Sequence, residues 1–138
     1  MRFVLDASVT MAWCFEDERT DLTEGVLDSL AEGGEAVVPP IWAYEVANVL
    51  VGAQQRGRLT AARVASFMED LQDFAIQTDP QVEGRVLGPV AALARERRLT
   101  VYDAAYLELA MRSGLPIATL DERLQHAAGE VGVRLIGS

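Results

Sequence analysis

Five short apolar runs, RFVL at 2–5, AVV at 36–38, AIQT at 75–78, PIATL at 116–120 and VRLI at 133–136, alternate with segments of helical periodicity. Alternation of this kind selects an α/β fold, because a mainly parallel sheet needs helical crossovers that cover both of its faces. A three-layer α/β domain is therefore expected. The chain of 138 residues is about the length of one domain and long enough to bury a core without disulfides. One unit spanning 1–138 is expected, without internal repeats, low-complexity tracts or linkers.

Between the runs, the spacing predicts short helices over 8–15 and 20–31, the second stopped by Gly33 and Gly34. Pro39 and Pro40 open a longer helix reaching Arg56, on which Val46, Val49, Leu50 and Ala53 form a core face. Thr60 is placed to cap a helix whose Val64, Phe67, Met68 and Leu71 repeat that spacing. A helix over 82–98 should kink or restart at Pro89. The next begins in LTVYDAAYLELA, where Thr100 and Asp103 have the spacing of a capping box, and ends at Ser113 and Gly114. A last short helix precedes the fifth run.

Composition excludes several chemistries. All twelve basic residues are Arg. Without Lys, a Walker phosphate loop and a Schiff base are ruled out, and a receiver-type phosphoaspartate site is crippled. His126 is the single histidine, so paired-histidine acid–base schemes and His-rich zinc sites are absent; it is expected at the surface or a helix end. Cys14 stands alone, which fits core filling in a reducing cytoplasm. The apolar stretches fall short of a bilayer span, and Asp6 interrupts the first of them, so neither a membrane segment nor a signal peptide is expected. A net charge of -9 does not suit nucleic-acid binding by bulk charge. A polyanion would have to be met through a cation.

In parallel α/β sheets the functional crevice lies outside the carboxyl ends of the strands. Asp6 follows the first run and Asp121 the fourth. Glu45, with Asn48 one turn on, lies early in the helix leaving the second run, and Asp103 starts its helix at the same edge. Four carboxylates brought together repel unless a cation sits among them. Mg²⁺ or Mn²⁺ suits such oxygen donors and would polarise phosphate and acidify water for in-line attack. Each acid alone also has a structural reading. Asp6 and Asp103 could cap helices, Glu45 could be a solvated first-turn acid, and a Thr119–Glu122 capping box would leave Asp121 incidental. Asp6 argues most strongly against that, since an acid at the tip of a buried strand is costly unless paired or metal-bound. Ser8, Asn48 and Thr119 are the neutral polar residues nearby, fit to orient ligands or to cap.

Four segments in order, FVLDASV, VPPIWAYEVANVL, LTVYDAAYLELA and IATLDERL, resemble the PIN-domain ribonucleases, and among them the VapC-type toxins of bacterial toxin–antitoxin pairs. The resemblance covers essentially the whole chain. It implies a PIN-like domain with a parallel five-stranded sheet, and Mg²⁺- or Mn²⁺-dependent cleavage of single-stranded RNA. The family's acids fall on Asp6, on Glu45 with Asn48 in its E-x-x-N pattern, on Asp103 and on Asp121. Ser8 and Thr119 match its small hydroxyl positions. A homodimer and a cognate VapB-like antitoxin that blocks the site are also implied.

Arg56 and Arg58, and Arg95, Arg97 and Arg98, form basic clusters suited to guiding RNA phosphates or to solvating helix ends. Trp42 and Tyr44 could stack or form an interface, whereas Trp13 is expected in the core. Two alternatives remain at this level. One is a nuclease of the same fold that processes RNA or DNA without being a toxin. The other is a catalytically silent interaction module whose acids only cap helices and bind cations structurally.

Overall fold

The computed structural model describes residues 1–80 and 83–137. Strand β1 (Arg2–Leu5) is followed by α1 (Ala7–Ala12), a 3-10 turn at Glu16–Glu18, α2 (Asp21–Ala31) and β2 (Glu35–Val38). Helices α3 (Ile41–Gln55) and α4 (Ala61–Gln72) lead to β3 (Ile76–Thr78). After α5 (Glu83–Arg85), a π-helical turn (Val86–Val90) runs into α6 (Ala91–Arg97), then α7 (Val101–Ser113), β4 (Ile117–Ala118) and α8 (Glu122–Glu130). The strands pair in parallel in the order β3-β2-β1-β4.

Side chains alternate across a strand, and this sheet uses both faces. Phe3, Leu5, Ala36, Val38 and Ala118 pack on one side with α1 to α4, among Val26, Leu50, Val64 and Phe67. Val4, Val37 and Ile117 pack on the other with α6, α7 and α8, among Leu93, Leu107, Leu109 and Leu124. The three-layer reading therefore holds. Trp13 and Cys14 are buried, and Trp13 satisfies its indole N–H on the Thr23 carbonyl at 2.8 Å. Thr60 and Thr100 cap α4 and α7 as expected.

Two expectations are corrected. The fifth strand is reduced to a single parallel bridge, Ile117 to Leu135. β4 is only two residues long, so the segment 133–136 meets it through two backbone bonds alone, Ile117 N–H to the Arg134 carbonyl at 2.9 Å and Ile136 N–H to the Ile117 carbonyl at 3.0 Å. Val49 is exposed rather than part of the core face. The interruption expected at Pro89 is found as a π-helical turn, after which α6 starts, because the ring removes one backbone donor and crowds the preceding turn. The predicted helix over 82–98 begins, at Val82, outside the described residues.

The buried carboxylate of Glu108 on α7 accepts from Arg85 Nε at 2.8 Å and Arg112 Nε at 3.0 Å. Arg112 also holds Asp79 at 2.7 Å. This cluster ties α5 and the end of β3 to the central helix. Glu108→Ala is expected to cost about 1–3 kcal/mol, read as a lower urea midpoint. The loss should stay below the roughly 3–5 kcal/mol of a wholly buried pair, because both arginines retain contact with solvent. An unchanged midpoint would show that the cluster is not a brace.

Candidate active site

The strand order reverses between β1, whose next strand lies on one side, and β4, which lies on the other. That switch point opens a crevice at the carboxyl ends of the strands. Asp6 lies directly beyond the end of β1 and is 95% buried, with 5% of its surface exposed. Its Oδ2 accepts from Ser8 Oγ at 2.5 Å and from Thr119 Oγ1 at 2.8 Å. Each hydroxyl is itself anchored, Ser8 Oγ by the Leu120 N–H at 3.0 Å and Thr119 Oγ1 by the Asp121 N–H at 3.0 Å. The two polar residues thus join the tip of β1 to the segment leaving β4 and fix the Asp6 carboxylate between them.

Asp121 N-caps α8, its Oδ1 accepting from the Leu124 N–H at 3.1 Å. The Thr119–Glu122 capping box does not form, since Thr119 faces Asp6 instead. Glu45, half-buried on the first turns of α3, accepts from the Tyr106 hydroxyl at 2.6 Å. Asp103 lies in the first turn of α7, where its N–H is capped by Thr100 Oγ1 at 3.1 Å. Its carboxylate also feels the Thr100 hydroxyl, but its remaining lone pairs keep capping and a further role compatible.

The four acids sense one another. Burial raises the pKa of Asp6, the Ser8 and Thr119 hydroxyls pull it back, and the charge of Asp121 raises it further. Burial also raises Glu45, which Tyr106 lowers and the charges of Asp6 and Asp103 raise. Asp103 is raised by burial and by Asp121 and Asp6, against a weaker pull from Thr100 and Arg123. Among the described residues, no arginine makes an ion pair with any of the four. The crevice therefore concentrates negative charge without a fixed counter-ion.

This donor set fits a hard divalent cation. Among the described residues, no three His, Cys, Asp or Glu side chains are gathered closely enough to enclose an ion by themselves. Mg²⁺ is usually held by one or two carboxylates and completed by water. Asp6 and its three neighbours could hold it.

The remaining sequence candidates sit farther out. Asn48 is exposed on α3, one turn from Glu45. Arg56 C-caps the same helix, about 16 Å along its axis from Glu45 at 1.5 Å per residue. Arg58 is engaged elsewhere, donating to Asp17 at 2.9 Å and lying 3.9 Å over the Phe15 ring. Trp42 donates to Thr10 Oγ1 at 3.1 Å, Tyr44 is exposed, and so is His126. Sequence reasoning missed Tyr106, which is fully buried and holds Glu45. The signal was its place three residues after Asp103 on one helix, which puts the two on neighbouring positions of the same face.

The fold and this crevice define a nuclease-like α/β domain with an acidic centre at the strand ends, and comparison with known proteins gives it a family. Residues 3–130 match the PIN domain. Ribonuclease VapC3 of Pyrobaculum aerophilum is 34% identical over 124 residues, covering 90% of this chain and 92% of that protein. The chain belongs to the PIN-domain family, in its VapC branch. The crystal structure of PAE2754 from Pyrobaculum aerophilum aligns with a TM-score of 0.70 and 26% identity, over 92% of this chain and 79% of that one. VapBC2 from Rickettsia felis, solved bound to a DNA fragment from its promoter, aligns with a TM-score of 0.68 over 98% and 97% of the two chains. At 11% identity, that likeness is one of fold.

Proposed function

We propose that this protein is a Mg²⁺- or Mn²⁺-dependent endoribonuclease, the toxin of a VapBC-type pair, which hydrolyses phosphodiester bonds in single-stranded RNA or RNA loops. The observation that carries the reading is the crevice itself: four carboxylates from four separate segments, coupled by charge. The 34% identity to a protein named as a ribonuclease supports the substrate.

In this reading Asp6 and Asp103 are the principal ligands of the cation, Glu45 and Asp121 complete the site, and the whole of 1–138 acts as one domain. When bound, the ion supplies charge neutralisation at phosphate and acidification of water. The chain's own residues set the geometry. Ser8 and Thr119 aim Asp6, Tyr106 aims Glu45, and the caps at Thr100 and Asp121 fix where α7 and α8 begin. The negative field of these acids opposes an approaching phosphate until a cation offsets it, which makes activity depend on the metal. A VapB-like antitoxin that covers the crevice, a homodimeric assembly and a cytoplasmic location complete the proposal. No helix among the described residues is long and apolar enough to cross a membrane.

Purified protein is expected to cleave single-stranded RNA in Mg²⁺ or Mn²⁺ and to stop in excess EDTA. Undiminished cleavage in EDTA would contradict the mechanism. Induced expression should arrest growth, and co-expression of a VapB-like partner should relieve it. A cleaving enzyme that leaves growth unaffected would instead be an RNA-processing nuclease of the same fold.

A further inference from the structure

Beside the acidic crevice, a groove of about 480 Å³ is lined by Arg97, Arg98, Glu122, Arg123, His126 and Ala127. It reverses the sign of the local surface on a chain of net charge -9. Arg97 is paired with Glu130 at 3.6 Å, and His126 lies 3.7 Å from the same carboxylate. Arg98 and Arg123 make no ion pair among the described residues. Glu122 is the one acid among the residues that line the groove.

The backbone of Arg98 is also unusual. It C-caps α6 in the left-handed conformation, at φ 57° and ψ 42°, and is the one non-glycine with positive φ among the described residues. Helix α7 ends in the same conformation at φ 66°, and there the sequence supplies Gly114. A side chain in this region costs about 1–2 kcal/mol that glycine avoids. The chain accepts that cost at Arg98 without an internal ion pair to offset it, which points to a use for the guanidinium outside the fold.

The groove is also placed to serve the crevice. Arg98 precedes Asp103 by five residues, around the Thr100 cap, and Arg123 follows Asp121 by two. The charge of Arg123 reaches Asp103, and His126 lies one turn farther along α8. Arginine forks bind phosphate oxygens in two-point contacts. We propose that Arg98 and Arg123 form a phosphate-binding subsite that grips the backbone of single-stranded RNA beside the phosphate held at the carboxylates. This deepens, and rests on, the ribonuclease reading.

The test separates the two. Fluorescence anisotropy with a 5′-labelled single-stranded RNA of about 12 nucleotides, titrated in EDTA across a salt series, reads binding without turnover. Arg98→Gly should bind at least about 5-fold more weakly and the double variant with Arg123→Gln at least about 20-fold. The double variant should also lose about 1.4 from the log–log salt slope, about 0.7 per phosphate contact. Arg98→Gly should unfold at the same or a higher urea midpoint than wild type, so weaker binding is not damage to the fold. Arg2→Gln removes one charge at the amino end of β1, opposite the crevice, and should stay within about two-fold. In Mg²⁺ the groove variants should raise KM and leave kcat within about two-fold. Wild-type affinity in the double variant, or an equal loss in Arg2→Gln, would overturn the subsite. If the ribonuclease reading alone fails, wild type will not cleave in Mg²⁺ while the groove variants still bind RNA more weakly.

Discussion

Asp6→Asn is expected to lose RNA cleavage by at least about 10³-fold, while folding as well as wild type or better when metal-free. Loss of an outer partner of a metal ligand commonly costs roughly 10–100-fold, and Asp6 is the most buried carboxylate of the cluster. The amide should fold because a single carbonyl oxygen can accept both hydroxyls that now converge on Oδ2. The stability effect has a definite sign. Burial raises the pKa of Asp6 in the fold, whereas in the unfolded chain it stays near 3.8. The fold therefore binds that proton more tightly, and the resulting stability is fully present below the ordinary value and lost as pH rises through the raised one. Asn cannot ionise and escapes the loss. In EDTA, urea midpoints for the two proteins should converge at pH 4 or below and diverge in favour of Asn at pH 8. Mg²⁺ should then raise the wild-type midpoint only. Equal midpoints at both pH values would mean that Asp6 is not desolvated as the fold places it.

Tyr106→Phe should lower cleavage by roughly 10–100-fold although it removes one oxygen atom remote from solvent. The phenol is fully buried, and burial together with its hydrogen bond to Glu45 raises its own pKa, so it remains a donor. Phe fills nearly the same space, and the stability loss should be about 0.5–1.5 kcal/mol, the usual net value of one hydrogen bond. The Tyr106 bond lowers the pKa of Glu45, against the effects of burial and neighbouring charge. Removing it should raise that pKa and move the acid limb of the pH–rate profile to higher pH. A merely structural role for Tyr106 would lower stability without moving the limb.

Much of the site was legible because local rules and topology agreed. An acid after a buried apolar run, as at Asp6, marks a strand tip whatever the fold, and the alternation of elements brings strand tips to one edge. Thr100 and Thr60 likewise do what local capping chemistry predicts. The misses share a nonlocal cause. VRLI has the pattern of a strand, but its pairing depends on β4, which is only two residues long. Val49 fits the helical stripe of α3, yet which neighbour covers that stripe is a property of packing. Arg58 reads as a free cation until the fold brings Asp17 and Phe15 beside it. Tyr106 looks like core filling, and only the approach of α3 to α7 turns it into a partner for Glu45. Arg98 is the opposite case, where the sequence shows no glycine at a helix end that geometry would assign to one.

The proposed function requires the four carboxylates to make one divalent-cation site. Binding of Mn²⁺ to the metal-free protein, followed by electron paramagnetic resonance, tests it most directly. Wild type should bind Mn²⁺ in competition with Mg²⁺, and Asp6→Asn and Asp103→Asn should each abolish or severely weaken that binding while remaining folded. Wild-type affinity in both variants would contradict the claim, because the acids at the ends of β1 and β4 and at the starts of α3 and α7 would then have no shared ion to hold.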